Sequence, residues 1–121
     1  MIRWAGHLVG PLRGFYLSIA MHLVQILLPS ADNTGQPFDR QDFDRVKEEL
    51  AAHFEGVTAY LQAPAEGLWR EGGQTDHDNI VLFEVMAQAI DLEDWRRRRT
   101  ELEILFRQDK VVVRYMPMAL V

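Results

Sequence analysis

The chain has 121 residues, 48% hydrophobic and 26% charged, the scale of one domain with a single core. It has no cysteine, which excludes disulfide staples, thiolate metal sites and thiol nucleophiles. The net charge is −5, and from Met21 onward eleven basic side chains face eighteen acidic ones, a balance of −7 that argues against a nucleic-acid partner.

Residues 1–20 differ from the rest, with Arg3 and Arg13, no acid and many apolar side chains. His7, Gly10-Pro11 and Arg13 break the apolar run that a secretory signal needs. The stretch from Phe15 to Pro29 is about fifteen residues, short for a membrane span, and holds His22 and Gln25. The expectation is a cytoplasmic protein without a membrane partner. Residues 1–20 read as an extension, with Met21 opening a working domain over 21–121.

His22 to Leu28 is a short apolar run stopped by Pro29, which predicts a buried central strand. Asp32, Asn33, Gly35 and Pro37 mark a loop. A helix follows, with Asp39 as N-cap and Asp42 near its positive end. Phe38 and Phe43 have the spacing of a hydrophobic staple. Phe43, Val46, Leu50 and Phe54 form its apolar stripe, and Gly56 is placed to stop it in a left-handed conformation.

Val57 to Gln62 predicts a second strand, followed by a loop over Ala63 to Gly67 and a brief pairing at Leu68-Trp69. Glu71 to Asp78 reads as a hairpin tip, and Ile80 to Met86 as the third strand. Asp91 caps a second helix with an apolar side of Leu92, Trp95, Leu102, Leu105 and Phe106. Lys110 to Met116 is the last strand, where Pro117 ends the ladder or forces an edge position.

The order β-α-β-β-α-β closes most simply as a ferredoxin-like α+β fold. That is a four-stranded antiparallel sheet with two helices on one face, and the strands side by side in the order fourth, first, third, second. Its other face must be solvated, bound or covered. Alternation places Leu23, Gln25 and Leu27 there, with Thr58, Tyr60 and Gln62, and Ile80, Leu82, Glu84 and Met86. The last strand adds either Val112 and Arg114 or Val111, Val113 and Tyr115. So apolar a face predicts a homodimer joined sheet on sheet by a two-fold axis. The alternative cover is residues 1–20.

Glu84 stands in the middle of a central strand, within Val81-Leu82-Phe83-Glu84-Val85-Met86. A buried carboxylate needs partners. Gln25 flanks it on one side, and Tyr60 and Gln62 on the other. With Trp69 these make a candidate ligand site of apolar walls and convergent polar groups. In such a site Glu84 is a candidate general base. The competing reading is a structural ion pair with Arg114 or Arg70.

Other signals carry less. Asp76-His77-Asp78 lies at a hairpin tip, where neighbours point to opposite faces, and His22 and His53 lack ligand-like spacing to it. No metal or cofactor is expected. Arg96 to Arg99 spread around a helix among Glu93, Asp94, Glu101 and Glu103, which reads as a solvated, salt-bridged surface.

Pro37-Phe38, Phe54-Glu55-Gly56-Val57-Thr58-Ala59-Tyr60, Ala63-Pro64-Ala65-Glu66-Gly67-Leu68-Trp69 and Phe83-Glu84-Val85 resemble an uncharacterised family of small bacterial conserved hypothetical proteins. The resemblance covers most of residues 21–116. It implies a ferredoxin-like fold and transfers no catalytic residue. The element order is also similar to the dimeric α/β-barrel proteins, which pair their open sheets and include cofactor-free oxygenases, isomerases and lyases. The leading expectation is therefore a homodimeric small-ligand-binding or interaction module. Its alternative is a cofactor-independent isomerase, lyase or oxygenase with Glu84 as base.

Overall fold

The computed structural model describes the backbone of residues 19–71 and 74–121 and the side chains of residues 21–61 and 79–121. Its elements are β1 (Ile19–Pro29), α1 (Arg40–His53), β2 (Gly56–Glu71), β3 (Gln74–Ala87), α2 (Leu92–Leu105) and β4 (Val112–Leu120). The strands form one sheet in the order β2-β3-β1-β4, with every neighbouring pair antiparallel. This is the expected ferredoxin-like α+β fold.

Alternation on the two central strands builds the core. Val24, Ile26 and Leu28 of β1 and Val81, Phe83 and Val85 of β3 point to one face and are buried. Phe43, Val46 and Leu50 of α1 and Trp95 of α2 close over them, with Phe106 and Val111 from the connection to β4. At about 25 cal/mol per Å² of apolar surface removed from water, this layer is the main stabilising term.

Local signals explain the helix starts. Phe38 stacks edge-on against Phe43 at 6.3 Å, the staple predicted, and also against Phe106 at 5.0 Å. Asp39 occupies the N-cap position of α1 without a side-chain cap bond. Asp91 does cap α2, accepting from the Asp94 N–H at 3.1 Å. Between β1 and α1, Asp32 Oδ1 accepts from Thr34 N, Thr34 Oγ1 and Gln36 N at 2.7–2.9 Å. These bonds, the Thr34 hydroxyl foremost, hold the Asp32 carboxyl below its ordinary value. Gly35 supplies the positive φ of 86° that this turn requires.

Four local expectations are corrected. Gly56 does not terminate α1 in a left-handed conformation. Phe54 ends the helix in extended backbone, and Gly56 already pairs with Met86. The loop expected over Ala63 to Gly67 is strand. Tyr60 pairs with Leu82 and Ala65 with Ile80, so β2 inserts three extra residues there, and Pro64, which has no N–H to donate, falls among them. The last strand, expected over Lys110 to Met116, is Val112–Leu120 and runs through Pro117, so that of the two readings of this proline the edge position is the one found.

The fourth correction concerns α2. Arg97 makes the expected surface pairs with Asp94 and Glu101. Arg98, however, is only 8% exposed, while Ile104 is 74% exposed. Arg98 lies three residues after Trp95, on the buried stripe. Its guanidinium lies 5.1 Å from the Phe54 ring centre and 5.8 Å from that of Trp95. The helix ends with Arg107 in the left-handed region at φ 52°, where Gln108 N donates to Glu103 O and Arg107 N to Ile104 O.

Phe106→Ala is expected to cost about 3–5 kcal/mol by cavity formation, while Ile104→Ser stays within about 0.5 kcal/mol; urea unfolding measures both. Hydrogen bonds from Arg98 first, and then Arg97, hold the Asp94 carboxyl below its ordinary value. Its stabilising share is full above about pH 4 and is lost as pH falls through the lower folded value. The stability gap between wild type and Asp94→Asn is therefore expected to shrink from pH 6 to pH 2.5. A gap that is constant with pH would contradict this assignment.

Candidate functional site

Both helices cover the same face of the sheet, so the side chains that alternate away from the core lie together on the other. Register arranges them in three rows across four strands. The middle row is Thr58, Glu84, Gln25 and Arg114. One flanking row is Tyr60, Leu82, Leu27 and Val112; the other is Gly56, Met86, Leu23 and Met116. The middle row is polar, and leucine, methionine and valine dominate the rows beside it.

Three of the four side chains of the middle row, Arg114, Gln25 and Glu84, are wired together. Gln25 Nε2 donates to Glu84 Oε2 at 2.8 Å. Gln25 Oε1 accepts from Arg114 Nε at 2.7 Å. Tyr60 reaches diagonally from the flanking row, and its hydroxyl donates to Glu84 Oε1 at 3.0 Å. Each carboxylate oxygen thus has its own donor, and the amide of Gln25 links Arg114 to Glu84. The four groups share one orientation of donors and acceptors, because Gln25 must present its oxygen to Arg114 and its NH2 to Glu84.

The bond to Glu84 first, and then the negative charge of that carboxylate, hold the Tyr60 hydroxyl above the ordinary phenol value. Tyr60 is 43% exposed, so the end of the chain of bonds stands open to solvent. The arrangement offers an incoming molecule a phenol, a carboxylate edge and a guanidinium in one line, with apolar surface on both sides.

Of the residues singled out from sequence, Gln25, Tyr60 and Glu84 come together at this row. The side chains of Gln62 and Trp69 lie outside the described residues. In the backbone, Gln62 falls in the inserted stretch of β2, and Trp69 pairs with Asp76, eight residues along β3 from Glu84. The Asp76-His77-Asp78 side chains also lie outside the described residues. Arg114 joins the row by bonding Gln25, without a direct ion pair to Glu84. The register Gln25–Arg114 decides that Val112, Arg114 and Met116 face this side and Val113 and Tyr115 the other.

Glu84→Gln removes the charge beside Tyr60, so the Tyr60 hydroxyl is expected to titrate lower, toward the ordinary value of about 10. Carbon-13 labelled tyrosine followed by NMR through the alkaline range measures it. An unmoved Tyr60 would show that its hydroxyl does not sense Glu84 in solution.

No family model matches the chain, and no curated protein matches it. Solved structures do. The divalent cation tolerance protein Cut A1 of Thermus thermophilus aligns with a TM-score of 0.57 at 12% identity, over 81% of this chain and 84% of that one. A phage SAM lyase in complex with S-methyl-5'-thioadenosine aligns with a TM-score of 0.59 at 14% identity, over 84% and 89% of the two chains. The divalent ion tolerance protein CutA1 of Ehrlichia chaffeensis gives 0.53 at 6% identity, over 84% and 83%. At these identities the likeness is one of fold, a small ferredoxin-like unit of nearly the same extent.

Proposed function

We propose that the protein is a homodimeric small-ligand-binding or interaction module whose working surface is the open sheet face. The observation that carries this reading is the bonded row Arg114–Gln25–Glu84–Tyr60 set between two apolar rows. An apolar sheet face of this width normally marks an interface. A polar row within it adds direction, since the row has a cation at one end and a carboxylate and phenol toward the other. A second copy laid face to face, about a two-fold axis between the sheets and across the row, presents the same row reversed. That sets Arg114 toward the partner's Thr58 end and supports self-association.

The chemistry of the row favours holding a polar group over abstracting a proton. Both Glu84 oxygens already accept hydrogen bonds, from Gln25 and Tyr60. Action as a base requires one of those bonds to be given up. The phage SAM lyase, of the same fold, holds S-methyl-5'-thioadenosine, so a scaffold of this size accommodates a nucleoside-sized molecule. That support is analogy from fold.

Light scattering of the full chain at two concentrations is expected to give twice the 14.0 kDa chain mass at both. Leu82→Lys places a charge in the middle of the apolar row and is expected to give a folded monomer. A wild-type monomer at both concentrations would overturn the dimer reading and turn the search to residues 1–20 or another protein as the cover of this face.

A further inference from the structure

A second concavity lies on the opposite side of the sheet, between α1 and α2. It encloses about 220 Å³ over an apolar floor of Ile26, Val46, Leu50 and Leu102. Its size falls below the roughly 300–1,000 Å³ of sites for drug-sized ligands, so its occupant is small. Arg45 and Arg98 stand at its rim with Glu49 and Glu101.

Arg98 is the unusual member. The residue is only 8% exposed, but its terminal nitrogens are not sealed off and reach solvent. Nε donates to Asp94 Oδ2 at 2.9 Å, and Phe54 and Trp95 hold the plane. Among the described residues its two terminal nitrogens donate no hydrogen bond. Glu49 Oε1 is 3.8 Å from Nη1, an ion-pair distance beyond hydrogen-bond reach. That same Glu49 oxygen lies 3.1 Å from His53 Nε2, and Glu101 Oε1 accepts from Arg97 at 2.6 Å. Glu101 is thus held by Arg97, and Glu49 stands between Arg98 and His53. Arg45 has no carboxylate within ion-pair distance among the described residues. Two guanidiniums with terminal donors open to solvent above an apolar floor match an anionic molecule with an apolar body.

We infer that the cleft between α1 and α2 binds a small monocarboxylate with a compact apolar body. The carboxylate sits on the terminal nitrogens of Arg98, a fork pre-set by Asp94 and the two rings, and within reach of Arg45. The apolar body rests on Ile26, Val46, Leu50 and Leu102. Glu49 opposes the ligand and moves aside when it binds. This site is independent of the open sheet face, which lies across the sheet from it.

The test uses the isotope-labelled full chain, with hexanoate as the probe and acetate and 1-hexanol as partial mimics. Hexanoate is expected to give saturable NMR shifts at the Leu50 and Leu102 methyls and at the Arg98 Nε–H. Acetate lacks the apolar body and hexanol the charge, so each is expected to bind at least about tenfold more weakly. Arg45→Gln, at an exposed position, is expected to weaken hexanoate severalfold, and Glu49→Gln to tighten it. Leu82→Lys, on the other face, is expected to leave it unchanged. Absence of saturable shifts at about 10 mM hexanoate overturns the inference, as does hexanol binding as tightly as hexanoate, or identical affinity in wild type, Arg45→Gln and Glu49→Gln.

Discussion

Antiparallel pairing of β1 between β3 and β4 is the constraint on which the rest of the molecule depends. It sets Val24, Ile26 and Leu28 under the helices, and by the period of two it sets Leu23, Gln25 and Leu27 on the opposite face. Two helices suffice to cover one face of four strands. The second face therefore inherits whatever alternates with the core, and here that is a mixture of leucine, methionine and one bonded polar row. A slip of one residue in either pairing would set Gln25 and Glu84 beneath the helices or out of line with each other, so the polar row and the core enforce the same register.

The polar row also explains how a carboxylate is tolerated on a central strand. A half-buried carboxylate without partners costs several kcal/mol, whereas one with a donor on each oxygen is close to neutral. Gln25 and Tyr60 provide those donors from the strands on either side of β3. Gln25 in turn presents its oxygen to Arg114 on the edge strand, so one chain of hydrogen bonds ties all four strands together. Cooperative strengthening along such a chain favours one arrangement of side chains over many.

On the helical side, Arg98 does for the helix pair what Glu84 does for the sheet. It is a charged group on an apolar surface, held by ring stacking and by Asp94. Arg107 has a related role at the far end of α2, where its guanidinium lies 5.3 Å from the Phe38 ring centre and 3.7 Å from Asp32. Both arginines bridge separate elements of the fold. The aromatic groups beneath them, Phe54 with Trp95 and Phe38 with Phe43 and Phe106, fix where each bridge lands.

The amino-acid sequence determined by itself the element order, the fold class, both helix starts, the core stripe of α1 and the alternation that brings Gln25, Tyr60 and Glu84 to one face. These follow from local spacing, because side-chain period and capping chemistry act within a few residues. Tertiary structure alone decided the register of β4, and with it that Arg114 reaches Gln25, since three consecutive valines, Val111 to Val113, give no alternation by which to tell the two faces apart. It alone decided that β2 continues past Pro64, because an extended partner strand absorbs a bulge that reads locally as a loop. It alone separated Arg98 from its three arginine neighbours. Charge patterning reads all four as solvated, and the packing of Trp95 against Phe54 from the end of the other helix gives one of them rings to lie on.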